Sequence, residues 1–177
     1  CLHPETIPVG ESSSIINILK YINEYKSDEY IFTYPNSDTN SNILLRHIKK
    51  YVSKNNNCHL IKSAGRYDFL HLLKYSLGII GNSSSGIVEA PSLNVPTLNI
   101  GNRQDGRPFG KSIYHATSSL ESIKKEMAKL KASNRRTKII TSAYQGKNTV
   151  NKVIKILSKI KIKNIKRKKF NDIRYEI

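Results

Sequence analysis

Tryptophan is absent from this sequence, methionine occurs once, and there are only two cysteines. Cys1 and Cys58 are too few and too far apart for a disulfide framework or the paired spacing of a metal site. They read instead as small buried hydrophobes of a cytoplasmic protein. No apolar run approaches the ~20 residues that a membrane-spanning helix needs, and no signal peptide is visible. Nothing repeats at a solenoid period. Negative charge is scarce too: 13 Asp and Glu stand against 30 Lys and Arg, for a net charge of +17. The excess is uneven, since residues 147–177 alone hold 11 basic and 2 acidic side chains. Such a tail suits nucleic acid or an anionic membrane surface. Yet no aromatic platform interleaves its lysines and no reader motif accompanies them. Solvated lysines are the favoured reading, so neither nucleic acid nor membrane is an expected partner.

What is present is an alternation. Short apolar runs, Tyr30–Tyr34, Cys58–Lys62, Leu77–Ile80, Pro96–Ile100 and Ser112–Ala116, read as buried strands. Between them lie segments with apolar residues at helical spacing. Ile15, Ile18, Leu19 and Ile22 mark one such face, and Leu44, Ile48, Tyr51 and Val52 a second. A short helix over 67–76 buries Phe69, Leu70 and Leu73. Ser118 and Glu121 have the spacing of a capping box, which starts a helix lined by Leu120, Ile123, Met127 and Leu130. A final helix over 147–160 buries Val150, Val153, Ile154 and Leu157. Strands alternating with amphipathic helices predict an α/β fold with a doubly wound parallel sheet. At 177 residues one domain with a sizeable core is expected, over residues 1–160, with 161–177 as a basic tail. The chain opens on Cys1 rather than Met, and Cys1-Leu2 reads as the end of a strand begun outside this sequence.

The stretch that organises the rest is Gly81-Asn82-Ser83-Ser84-Ser85-Gly86-Ile87-Val88-Glu89-Ala90-Pro91. The strand before it delivers the chain into a Gly/Ser-rich turn, after which the pattern turns helical and stops at Pro91. A turn of this kind offers backbone N–H groups, serine hydroxyls and a positive helix end to a phosphate. The next strand runs into Asn99-Ile100-Gly101-Asn102-Arg103-Gln104-Asp105-Gly106-Arg107, where two arginines suit bidentate phosphate contacts. Taken alone, the Gly/Ser turn fits tight packing as well as it fits phosphate; the arginine pair favours the diphosphate. His3, Asn36 and Asp38 fall at strand carboxyl ends, where ligands of open α/β sheets bind. For Asn36 and Asp38, turn formation and helix capping account for the residues equally well.

The Gly81–Pro91 and Pro96–Arg107 stretches closely resemble the hydrolysing UDP-N-acetylglucosamine 2-epimerases. His3-Pro4-Glu5-Thr6 and Tyr34-Pro35-Asn36-Ser37-Asp38 resemble two further motifs of that family, in the right order. The likeness is good over residues 1–115 and loose beyond. It implies the Rossmann-like, nucleotide-binding carboxyl-terminal domain of a GT-B fold, with the amino-terminal half of the enzyme missing from this sequence. By the same resemblance His3 is catalytic and touches UDP. Ser83, Ser84, Ser85, Gly86 and Arg103 hold the diphosphate, and Glu89 accepts from the ribose hydroxyls. Glu89 also reads as a solvated helix residue. The turn at Gly65 and Arg66 meets the uracil through its backbone, while Glu5, Asn36, Asp38 and Arg107 make sugar or loop contacts.

The implied reaction eliminates UDP from UDP-N-acetylglucosamine and adds water to give N-acetylmannosamine, for sialic-acid-type sugars of surface polysaccharide. It needs no metal and no cofactor beyond the substrate's own UDP. The family's acid/base carboxylates lie mostly in the missing half, so this chain alone is expected to bind UDP without turnover, and the full enzyme to be a homo-oligomer. Two alternatives remain: a non-hydrolysing epimerase or GT-B glycosyltransferase half, and a basic RNA-binding module. Pro4-Glu5-Thr6 after the histidine, where non-hydrolysing members carry arginines, speaks for the hydrolysing branch.

Overall fold

The computed structural model describes residues 1–4, 11–133 and 142–160. The chain forms two compact units, Cys1–Gln145 and Gly146–Ile177. The first unit runs α1 (Glu11–Glu24), β1 (Tyr30–Thr33), α2 (Ser41–Val52), β2 (Cys58–Ile61), α3 (Gly65–Tyr75) and β3 (Ile79–Gly81). A 3₁₀ turn (Ser84–Gly86) and α4 (Glu89–Ser92) follow, then β4 (Thr97–Ile100), β5 (Ile113–Ala116) and α5 (Leu120–Ala132). Among the described residues every strand pairing is parallel, β1 with β2 and β3–β4–β5 in that order.

Residues 1–3 lie between these two sheets and are tied to both. The Cys1 nitrogen donates to the Ile80 carbonyl of β3 at 2.9 Å, and Cys1 Sγ meets Thr33 Oγ1 of β1 at 3.1 Å. The approach is close enough that a Cβ on Gly81, which sits at φ 137°, would collide with the Cys1 carbonyl oxygen. The segment predicted as a strand end therefore runs between the sheets without ladder pairing of its own.

Alternation along the strands sends neighbours to opposite faces, and each face carries its own core. Leu2, Leu98, Ile100 and Ala116 pack with Ile15, Ile18, Tyr21 and Ile22 of α1, Leu44 and Ile48 of α2, and Ile123, Met127 and Leu130 of α5. On the other face Ile79 packs with Leu73 of α3, Ala90 of α4 and Val95, joined by Cys1 and Phe69. Helices on both faces of parallel strands make the unit doubly wound. β4 is buried along its whole length.

Several sequence expectations need correcting. The strand near Leu77 begins only at Ile79, and Leu77 is exposed, because it follows the α3 terminus before the chain enters the sheet. No single helix runs from Ser85 to Pro91. The chain makes a 3₁₀ turn and then a four-residue helix in which Pro91 falls in the first turn, where its missing N–H has no partner to lose. The cap of α5 is Ser119 rather than Ser118: its Oγ accepts from the Ser122 N–H at 3.2 Å, while Ser122 Oγ accepts from the Thr117 N–H at 3.0 Å. In the second unit α6 (Thr149–Lys159) has the predicted apolar stripe. However, Val150, Val153, Ile154 and Leu157 are exposed rather than buried, since spacing makes a face apolar without supplying what covers it. The run 161–177 lies outside the described residues.

Candidate functional site

The carboxyl ends of β1, β3 and β4, together with residue 3, converge on one edge of the first unit. A cleft of about 400 Å³ opens there, lined by His3, Asn36, Ser83, Ser84, Ser85, Arg103, Gln104 and Arg107. Its walls are cations, hydroxyls, amides and one imidazole, a set of donors suited to an anion.

Asn82 joins the parts. Its side-chain Oδ1 accepts from the His3 N–H at 2.7 Å, and its Nδ2 donates to the His3 carbonyl at 2.8 Å. Its own backbone carbonyl accepts from Gln104 Nε2 at 2.7 Å and from Arg103 Nη1 at 3.3 Å. One residue thus fixes the His3 backbone and steadies two side chains of the arginine loop. Asn82 is 2% exposed and Gln104 1% exposed, so the bonds of Asn82 to His3 and Gln104 are made away from water. Arg103 also reaches Asp38, Nη2 to Oδ2 at 3.6 Å.

The His3 imidazole is held from the other side as well, because the Asn36 N–H donates to Nδ1 at 3.1 Å. Burial, with the Arg103 guanidinium nearby, pushes the His3 pKa down to about 4; the Asp38 carboxylate opposes this more weakly. His3 is therefore neutral at physiological pH.

In the Gly/Ser turn, Ser83 Oγ accepts from the Ser85 N–H at 3.3 Å. The Gly86 and Ile87 N–H groups donate to the Ser83 and Ser84 carbonyls, each at 3.0 Å. The amides near Gly86 are thus spent within the turn, and α4 behind it has a single turn. Hydroxyls and arginines, rather than a helix end, give the cleft its anion character. Gly86 is buried against β4: Thr97 Oγ1 donates to its carbonyl, and a Cβ there would meet Thr97 Cγ2 at 2.6 Å.

Of the residues singled out by sequence, His3, Asn36, Ser83, Ser84, Ser85, Arg103 and Arg107 line the cleft. Asp38 adjoins it through Arg103. Glu89 opens α4, and Gly65 and Arg66 open α3 after β2; none of these three lines the cleft. Glu5 lies outside the described residues. Sequence reasoning missed Asn82 and Gln104. Asn82 stands inside the recognised motif, but nothing local sets it apart from its neighbours. Gln104 looks like one more polar loop residue, and nothing local announces that it is buried.

The model of the UDP-N-acetylglucosamine 2-epimerase family matches residues 1–158 of this sequence. The chain belongs to that family. A polysialic acid biosynthesis protein of Escherichia coli is 42% identical over 113 residues, covering 63% of this chain and 29% of that protein. A GDP/UDP-N,N'-diacetylbacillosamine 2-epimerase (hydrolyzing) of Campylobacter jejuni is 37% identical over 107 residues, 59% of this chain and 28% of that one. In these matches the chain covers less than a third of the length of either curated relative.

Its fold is shared with UDP-GlcNAc 2-epimerases of solved structure, which have the GT-B architecture. The Methanocaldococcus jannaschii enzyme, in complex with UDP-GlcNAc and UDP, superimposes with a TM-score of 0.65 at 17% identity, over 85% of this chain and 42% of that one. The Neisseria meningitidis enzyme, bound to UDP-GlcNAc, gives 0.58 at 20% identity, over 84% and 41%. Among the described residues no helix is long and apolar enough to cross a membrane.

Proposed function

We propose that the cleft holds the diphosphate of a UDP-sugar and that this chain is the nucleotide-binding part of a hydrolysing UDP-N-acetylglucosamine 2-epimerase. The observation that carries the reading is the convergence of Arg103, Arg107, His3 and three serine hydroxyls on one polar cleft at the strand carboxyl ends. Membership of the family and the hydrolysing relatives support the same assignment.

In this reading UDP leaves across the first two sugar carbons to give a glycal, and water adds to release N-acetylmannosamine, feeding sialic-acid-type sugar synthesis in the cytoplasm. The residues here serve the leaving group. Arg103 and Arg107 counter the charge that grows on the β-phosphate, and Ser83, Ser84 and Ser85 donate to its oxygens. Gly86 sets the backbone path of that turn. Glu89 accepts from the ribose, and the backbone at Gly65 and Arg66 meets the uracil. Asn36 and Asp38 face the sugar side. The acid/base carboxylates come from a preceding domain, the working enzyme is a homo-oligomer, and no metal or further cofactor takes part.

Calorimetric titration of this chain with UDP and with uridine tests the reading. Saturable UDP binding, weakened by Arg103→Ala and far stronger than for uridine, is the expected result, with no N-acetylmannosamine formed by this chain alone. A folded chain that binds uridine as well as UDP, or neither, would sink it.

A further inference from the structure

We propose that Asn82 is a positioning residue that holds His3 as a neutral hydrogen-bond donor, presenting its Nε2–H to the diphosphate, and that His3 neither gives nor takes a proton there. This rests on the reading of the cleft given above and adds the role of one side chain within it.

The donor at Asn36 decides the tautomer. A backbone N–H can only donate, so Nδ1, 3.1 Å from it, must accept and carries no proton. The ring's one proton then sits on Nε2. A second proton would set Nδ1–H against the Asn36 N–H and place a cation close to Arg103 in a site where His3 is 7% exposed. Both ring nitrogens are thereby committed. Nδ1 is occupied, and Nε2 has a proton to share but no lone pair with which to take one. A fixed donor is what remains, and His3 lines the cleft in which it would act.

That commitment needs the imidazole to stay put, and Asn82 supplies this. Its amide clasps the His3 backbone through both atoms at 2.7 and 2.8 Å, an arrangement that also fixes which amide atom is oxygen and which nitrogen. With the same residue's carbonyl held by Gln104 and Arg103, the imidazole and the guanidinium are referenced to one point. An error in Asn82 would displace two ligand-facing groups together.

Nitrogen-detected NMR of the His3 ring in the ligand-free 177-residue chain, followed by UDP titration of variants, tests the proposal. The expected spectrum shows an unprotonated Nδ1 and a protonated Nε2, with no titration near pH 6.5. His3→Gln, whose amide nitrogen reaches the Nε2 position, should keep UDP affinity within about threefold. His3→Asn, which reaches only the Nδ1 position, and His3→Ala should lose about ten- to a hundredfold, the scale for a lost hydrogen bond to a charged group. Asn82→Ala should mix the His3 tautomers and weaken UDP about tenfold while the rest of the amide spectrum stays native.

Should Asn82→Ala fail to fold, Asn82→Asp keeps the acceptor for the His3 N–H. It cannot donate to the His3 carbonyl, so half of the clasp is lost, and the His3 ring signals should report mixed tautomers with weaker UDP binding in a chain that stays folded. A protonated Nδ1 in the native chain, His3→Gln binding as weakly as His3→Ala, or Asn82 variants that leave the His3 signals untouched would each overturn the proposal. Absence of any UDP binding overturns the donor role along with the proposed function, whereas the ligand-free spectrum decides the positioning separately.

Discussion

Arg103 and Asp38 face each other at 3.6 Å beside the cleft, guanidinium Nη2 to carboxylate Oδ2. The pair is accessible to water, so the attraction is weak by itself. Its interest lies in competition, because a diphosphate approaching Arg103 must share it with a carboxylate already in place.

Asp38→Asn should therefore strengthen UDP binding, by up to about fivefold, since an exposed pair of this kind is worth ~0.2–1 kcal/mol. Calorimetry on the variant reads this directly. A loss of affinity instead would place Asp38 among the ligand contacts and remove the competition.

Gly81→Ala should unfold or badly destabilise the first unit. The added methyl meets the Cys1 carbonyl at a backbone angle of φ 137°, which side chains rarely adopt. Urea denaturation should show a loss above ~2 kcal/mol, compounded of overpacking and backbone strain. A near-neutral result would mean that residues 1–3 do not sit against β3 in solution.

Ser119→Ala should cost about 1 kcal/mol through loss of the α5 cap, whereas Ser118→Ala should cost at most a few tenths. The two midpoints measured side by side discriminate between the cap seen here and the one suggested by spacing alone.

Acid should weaken the fold through His3. The unfolded side chain titrates near 6.5 and the folded one at about 4, so between those values only the unfolded chain holds the extra proton. The contribution is complete above pH 6.5 and is lost as pH falls toward 4, to a limit of about 3 kcal/mol at ~1.4 kcal/mol per pH unit. His3→Gln should flatten the stability profile over that window. An unchanged acid limb in this variant would assign the slope to other groups.

Much of this was legible in the sequence because the physics behind it is local. Apolar runs gave five parallel strands within two residues at their starts, and helical spacing placed Ile15, Ile18, Ile22, Leu44, Ile48, Ile123, Met127 and Leu130 in the core. The cleft's cations and hydroxyls were visible because an arginine pair follows the Gly/Ser turn at the strand carboxyl ends, where ligands of open α/β sheets bind. What escaped was non-local. Asn82 and Gln104 matter through partners in distant loops or in backbone atoms, which leave no periodic trace. The α6 stripe misled for the opposite reason, since its pattern is local while its covering is not.

The span of the cleft has a kinetic consequence. Its lining is drawn from residues 3, 36, 83–85, 103, 104 and 107, and the Asn82 clasp on His3 closes a separation of 79 positions. Contacts of that range require loop closure before they give anything back, so they form late and slow the search. Neither α1 nor the β1–β2 pair contains the cleft by itself. A chain that captures a nucleotide has therefore already placed residues 1–3 between β1 and β3. In refolding kinetics, the gain of UDP binding should follow the appearance of helical signal and coincide with the last phase.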